Sequence, residues 1–395
     1  LLLLLLRLLL TEASLLAGLG GVAGIGLALG LLQGIRALGG EAIPRLDTVM
    51  LDGSVLLFAL GVTAATALLF GLLPALKTLE NDQAQTLRSE GRGSDGYRGR
   101  AWGALVMVEV ALALVLLTGS GLLIRSFTAV LAQDGGFDDG DVALATLALS
   151  GIKYPELEDH ARFWDEMLAR AEAVPGVGAA GVMTSRPVSG FAPNGRVELD
   201  GDPEKFGDAD YVVASEGAFR ALDIPLLRGR LFDATDGPEG QHVAVVSESF
   251  ADRYWPGEDP IGKLVSGGGM DNFWSADPPR FGRVVGVVGE VRFRELSRAG
   301  YPTVYWSFRQ RPSRVRYGGI LVAESASGDP GMIISGLRTA IREADADVAV
   351  RFGYLSDMVS DSVAQRRFIL IILSGFAGAA LLLAGVGIYG VVSYS

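Results

Sequence analysis

The chain has 395 residues, 49% of them hydrophobic, with a mean hydropathy of +0.35 and a formal net charge of −11. That hydropathy is high for a soluble protein, and the absence of cysteine excludes disulfides, thiolate catalysis and cysteine-ligated metals. The charge is unevenly placed: Ser126–Gln365 carries 23 Lys+Arg against 36 Asp+Glu, a net of −13, which argues against nucleic acid or anionic lipid as partner of that segment.

Leu1–Leu10 reads as the interior of a helix and begins with Leu instead of Met, and the chain stops at Ser395 while still hydrophobic. A piece truncated at both ends is therefore expected. No basic stretch followed by a small-residue cleavage site marks a signal peptide. Ala13–Ile35, Gly53–Leu76 and Phe368–Ser395 contain no charged residue, and Ala101–Ile124 contains only Glu109. A bilayer core of about 30 Å takes roughly 20 helical residues, so four spanning helices are expected, at about 11–36, 53–77, 101–127 and 363–395.

In the first span Gly20 and Gly24 make a GxxxG spacing that Gly26, Gly30 and Gly34 continue. Small residues four apart let helix backbones approach; ordinary tolerance of glycine in a spanning helix explains the pattern equally well, and the sequence leaves both readings open. Glu109 lies within the third span, where an ionisable residue suggests function. A position near the inner face, pairing with another helix or reaching water, is the structural alternative. Lys77–Arg100 holds five basic residues and Arg36–Asp52 two. Basic loops stay in the cytoplasm, so 80–100 is expected inside and the segment after the third span outside, although Arg366 and Arg367 run against the rule.

The outer segment, 128–362, alternates strand and helix signals. Asp141–Ser150 is a predicted strand, Pro155–Val174 a helix with Phe163, Met167, Leu168 and Ala171 on one face, and Val177–Met183 a strand. Ile320–Glu324, Gly331–Ala344 and Val348–Phe352 repeat the unit. Between them, about 197–308 is mostly strand and turn. The expected fold class is a multi-pass α-helical membrane protein with a large α+β extracytoplasmic domain, two β-α-β units bracketing a β-rich insertion. Both junctions, Arg125–Phe127 and Asp361–Val363, lack glycine and proline, so stiff helical stalks are expected, with hinges at Gly135–Gly136 and Gly353.

No motif carries chemistry. Gly257–Lys263 satisfies seven positions of a phosphate-binding loop, but Leu264 stands where Ser or Thr should hold magnesium, and Glu258 and Asp259 put negative charge where phosphates would sit. A turn is expected. His160 and His242 are far apart in sequence and read as surface or satisfied polar contacts. Asp134, Asp138, Asp139 and Asp141 lack the spaced Glu that would complete a calcium loop and read as a solvated linker. Asp165 and Glu166 read as a polar helix face. No catalytic, metal-binding or cofactor-binding residue and no cofactor is expected.

Several stretches resemble the FtsX-like permeases of MacB-type ABC transporters. These are Val363-Ala-Gln-Arg-Arg-Phe368 with the apolar helix ending at Gly385–Ser395, Trp255–Lys263, Leu227–Phe232, Glu109–Phe127 and Thr11–Leu16. The pattern is similar to a duplicated-permease subgroup found in acidobacteria. The resemblance implies that 1–79 closes a first permease unit and that 80–100 is a cytoplasmic linker. It further implies that 101–127 opens a second unit, 128–362 is a MacB-like periplasmic core, and 363–395 starts the second unit's helices. It also implies a permease subunit of an export or mechanotransmission system in a bacterial inner membrane, not itself an enzyme. Implied partners are a cytoplasmic ABC ATPase, the lipid bilayer, and a periplasmic adaptor or outer-membrane protein, with assembly as a homodimer or as tandem units in one chain. The rival from the residues is a membrane-anchored sensor whose outer domain binds a ligand; a tethered hydrolase is disfavoured by the missing site.

Overall fold

A computed structural model describes residues 2–39, 52–84, 95–271, 280–297, 300–315 and 319–393. They divide into two compact units, Leu1–Leu122 with Arg367–Ser395, and Leu123–Arg366.

The first unit is helical: α1 (Leu2–Gly39), α2 (Gly53–Ala84), most of α3 (Asp95–Leu131), and most of a C-terminal helix, Leu355–Ser393. Among the described residues, three stretches are long and apolar enough to cross a membrane: Thr11–Gly34, Val110–Val130 and Arg366–Tyr389. The fourth expected span is helical, but its apolar stretch among the described residues is shorter, Gly53–Leu68. Large apolar side chains on these helices point outward, Val22, Phe58 and Leu382 each more than 70% exposed. Such a surface is unfavourable against water and suits hydrocarbon, where helices satisfy their own backbone hydrogen bonds.

Among the described residues, the spaced glycines of α1 have open space beside them. A Cβ at Gly20, Gly24, Gly26, Gly30 or Gly34 would meet nothing within 4 Å, whereas one at Gly21 would lie 3.1 Å from Thr63 Oγ1. Among the described residues, Gly21, off the GxxxG row, is a glycine at which α1 closely approaches α2. Elsewhere Ser120 Oγ donates to the Leu373 carbonyl at 3.3 Å. The buried residues in the apolar parts of α3 and the C-terminal helix are Ala113, Ser120, Ala377 and Ala384, the small types that let helices pack in lipid. Glu109 lies on α3; its side chain falls outside the described residues.

The second unit is built on strands. β1 (Val142–Ala148), α4 (Leu157–Glu172) and β2 (Val177–Met183) form the first strand–helix–strand unit. The middle supplies β3 (Asn194–Leu199), β4 (Asp202–Ala214), α5 (Glu216–Ala221), β5 (Leu226–Gly229), β6 (Val243–Ser247), α6 (Glu248–Tyr254), β7 (Leu264–Ser266), β8 (Phe281–Val288) and β9 (Thr303–Ser307). After α7 (Pro312–Val315) come β10 (Gly319–Ser325), α8 (Gly331–Ala344) and β11 (Ala349–Tyr354), and the C-terminal helix, α9, starts at the next residue.

The two outer units interleave in the order β11-β1-β10-β2, each neighbouring pair antiparallel. Strand alternation divides their side chains between two cores. Ala143, Ala145 and Leu147 join Trp164 and Met167 of α4 and Leu337 and Ile341 of α8 on one face. Val142 and Leu144 join Phe219 of α5 and Leu355 of α9 on the other. α5 sits directly on β2: a Cβ at Gly217 would come 1.9 Å from the Ala180 carbonyl oxygen, and one at Gly181 would come 1.9 Å from the Ala218 nitrogen. The middle strands pair in the cycle β4-β3-β7-β8-β6-β9, and β9 returns to β4 in parallel from Asp210↔Thr303 to Ala214↔Ser307. Closure removes the free edges of this ring. β4 belongs to both layers, since its last residue pairs with β2 at Met183↔Ala214.

Candidate functional site

The motif at Gly257–Lys263 is a turn. α6 precedes it and β7 follows, the reverse of the strand–loop–helix order that presents backbone amides to phosphate. Those amides are occupied: Glu258 N donates to Trp255 O, Gly262 N to Val284 O and Lys263 N to Pro260 O. Lys263 pairs with Glu258 and stands over the Trp255 ring. The adjoining depression of about 300 Å³ is lined by Arg228 and by the carboxylates of Asp252, Glu258 and Asp259, which would repel an anion.

The remaining flagged residues are local or structural. His160 is buried, with Nε2 3.0 Å from the Tyr154 carbonyl oxygen. His242 Nδ1 lies 2.7 Å from Arg311 Nη1, and burial together with the Arg311 and Arg280 charges lowers its pKa to about 4. It is therefore neutral near pH 7 and accepts from Arg311. Asp134 and Asp138 accept from the amides of Gly136 and Gly140 two residues on. Asp165 pairs with Arg309 and Glu166 with Arg170, so the two neighbouring carboxylates serve separate ion pairs. Among the described residues, no group of three or more His, Asp or Glu is placed to hold a metal ion.

What the structure does bring together is the junction at which α3 and α9 enter the second unit. Phe127 and Val130 of α3, and Met358, Val359 and Val363 of α9, pack with Val188 and Leu296 in one apolar cluster. The extended segment 290–297 organises it. Arg292 N donates to Gly135 O, Val188 N to Arg292 O, Ser189 N to Phe293 O and Gly190 N to Arg294 O. Arg292 Nη1 donates to Gln133 Oε1, and Arg366 of α9 reaches Ser297 Oγ at 2.8 Å and Glu295 at 3.5 Å. Gly135–Gly136, expected to be a hinge, is pinned instead: Gly136 has φ +75°, and a Cβ there would come 1.6 Å from the Glu290 carbonyl oxygen. Val188 also has positive φ, +48°, a strained state for a β-branched residue.

The same segment runs into the ring. Arg294 Nη2 donates to Asp210 Oδ1 of β4 at 2.6 Å, with the carboxylate 2% exposed. Glu290 Oε2 accepts from Ser249 N at 3.3 Å. Burial, with Glu248 and Asp210 nearby, raises the Glu290 pKa above the usual carboxylate range. Glu290 Oε1, Arg294 Nε and Tyr305 Oη are buried without a hydrogen-bond partner among the described residues.

The sequence profile of the MacB-like periplasmic core domain family matches residues 104–347, more than half of the chain. The chain belongs to that family. No curated protein matches it. The periplasmic region of MacB from Actinobacillus actinomycetemcomitans aligns at 16% identity, covering 58% of this chain and 95% of that one, with a TM-score of 0.38. The extracellular domain of the noncanonic ABC-type transporter YknZ from Gram-positive bacteria aligns at 17% identity, covering 52% and 94%, with a TM-score of 0.34. The MacB-like domain is a part of ABC transporter permeases, so the chain is a transporter-type component.

A second buried pair in this MacB-like domain escaped the sequence reading. Arg311 Nε donates to Asp271 Oδ1 at 2.8 Å, with both side chains below 10% exposed. Tyr211 Oη donates to the same oxygen at 2.6 Å, and the Arg311 guanidinium lies 4.6 Å from the Trp306 ring centroid. The Tyr211 and Asp271 contacts hold Arg311 charged against its burial. Asp271 Oδ2 also accepts from Gly267 N at 3.0 Å, so the pair fastens β4, β9 and the segment after β7 to one another.

Proposed function

We propose that the chain is the permease subunit of an ABC-type export or mechanotransmission system. In this reading 1–79 ends one permease unit, 80–100 is cytoplasmic, 101–127 spans, 128–362 is periplasmic and 363–395 spans. A separate cytoplasmic ATPase would hydrolyse ATP, and the helices would relay its motion to the outer domain. A periplasmic adaptor or outer-membrane protein is the natural receiver, and a homodimer or two tandem units the natural assembly.

The observation that carries the reading is the junction. Two apolar helices end in one apolar cluster, and 290–297 connects that cluster to β4 through the buried Asp210–Arg294 pair. A relay needs stiff levers attached to a rigid body. α3 is unbroken from Asp95 to Leu131, and α9 from Leu355 to Ser393.

A relay also needs its two ends on opposite sides of the membrane. The chain has no native cysteine, so Ser94→Cys and Ser335→Cys report without background; Ser335 is exposed on α8. In cells with a permeabilised outer membrane, an impermeant maleimide should label position 335 and leave position 94 unlabelled. Labelling of both, or of 94 alone, contradicts the reading.

A further inference from the structure

Segment 290–297, which organises the junction, starts on a titratable side chain. Glu290 stands just beyond the end of β8 at Val288. Its carbonyl oxygen lies against the loop after α3, where a Cβ at Gly136 would strike it. Its carboxyl group meets α6, with Oε2 accepting from Ser249 N at 3.3 Å. The same group lies against the backbone before β9: a Cβ at Gly300 would strike Oε1. One residue thus touches the loop after α3, α6 of the ring and the return to β9. Further along, backbone hydrogen bonds keep the segment closed. Val188, Ser189 and Gly190 donate to the carbonyls of Arg292, Phe293 and Arg294, and Arg292 donates to that of Gly135.

Glu290 Oε1 is buried and has no hydrogen-bond partner among the described residues. The charges that act on the group are acidic, Glu248 on α6 and Asp210 on β4. Arg294, on the same segment, is held by Asp210 at 2.6 Å, and Arg292 donates to Gln133 Oε1 and the Leu296 carbonyl. On the loop after α3, Asp134 accepts from the Gly136 amide. On β9, Tyr305 is buried, its hydroxyl also unmatched among the described residues. A desolvated carboxyl group with one oxygen lacking a donor and with acidic neighbours favours its protonated form. The Glu290 pKa is raised accordingly, chiefly by burial. Opening the segment returns the group to water, where it ionises in the usual range. The closed state therefore gains most from the proton below about pH 4.3, and loses that gain as pH rises through the folded value.

We propose that Glu290 is an acid-set latch: protonated, it holds segment 290–297 against α6 and the loop after α3, and ionised, it lets that segment open locally. The latch is a property of the outer domain's packing. It would exist whether α3 and α9 relay motion or only anchor the domain.

Hydrogen–deuterium exchange on the whole detergent-solubilised chain, corrected for the intrinsic rate at each pH, reads local opening directly. From pH 4 to pH 8, protection of the amides of Val188, Ser189, Gly190 and Arg292 should fall severalfold. The Ser215 amide, which donates to the Val182 carbonyl outside the segment, should hold its protection. Glu290→Gln keeps an oxygen for Ser249 without a charge, so the segment should stay protected and lose its pH dependence. Gly300→Ala places a Cβ where the carboxyl group sits, so protection should already be low at pH 4. That second variant decides the matter if the first does not fold. The latch is overturned if wild-type protection of the segment does not change with pH, or if Ser215 falls in step with it. It is equally overturned if either folded variant keeps the wild-type pH dependence.

Discussion

Glu290 sits where the junction meets the ring, with one carboxylate oxygen on the Ser249 amide and the other without a partner. Its folded pKa is raised by burial. A raised folded pKa means the native state holds the proton more tightly than the unfolded chain does. The resulting stability is fully present below the unfolded value of about 4.3 and is lost as pH rises through the folded value. At pH 7 this stabilisation is diminished, and burying a titratable carboxyl there costs stability. Glu290→Gln keeps an oxygen for Ser249 and removes the charge, so it should raise the melting temperature at pH 7. At pH 4 that gain should largely vanish. An equal shift at both pH values would contradict the electrostatic origin. Sequence reading reached Lys263, His160 and His242 because their types suggest chemistry, and each resolves as a structural contact. It missed Asp210–Arg294 and Asp271–Arg311, whose partners are 84 and 40 residues apart; ion pairs over such separations exist only once the strands are assembled.

At the scale of elements, the local periods were legible and the long pairings were not. The helical spacing of Phe163, Met167 and Ala171 marks α4, and the end of that helix near Pro175–Gly176 is equally visible. That β4 should close a ring by running parallel to β9, or that the two outer units should interleave, has no short-range signal. The contact of α5 with β2 has one in hindsight: Gly181 and Gly217 are both glycine because backbone meets backbone there. Gly217→Ala would press a Cβ against the Ala180 carbonyl, a backbone atom that cannot swing aside. The expected loss is about 1–3 kcal/mol, seen as a lower denaturation midpoint in the fluorescence of the buried Trp164 and Trp306. Gly353→Ala, where a Cβ meets nothing within 4 Å, should leave the midpoint unchanged. Equal effects of the two changes would contradict the close packing of α5. The GxxxG row of α1 gives the opposite lesson, since spacing alone did not identify Gly21 as a contact.

For the whole molecule, apolar helices and an acidic hydrophilic domain were separable by charge and hydropathy alone, because lipid and water select for opposite compositions. The division into compact units at Leu122/Leu123 and Arg366/Arg367 lies inside α3 and α9, so each helix contributes residues to both. Phe127 and Val363 share one apolar cluster, and the serines beside them, Ser126 and Ser362, are exposed. That arrangement permits the most direct test of the relay. Ser126→Cys and Ser362→Cys in one chain can be oxidised to a disulfide where their Cα atoms come within about 7 Å, fixing α3 to α9 at the junction. In the assembly with its ATPase, complete crosslinking should stop export, and reduction should restore it, while each single cysteine variant exports normally. Export continuing at the uncrosslinked rate with the disulfide fully formed would contradict the relay.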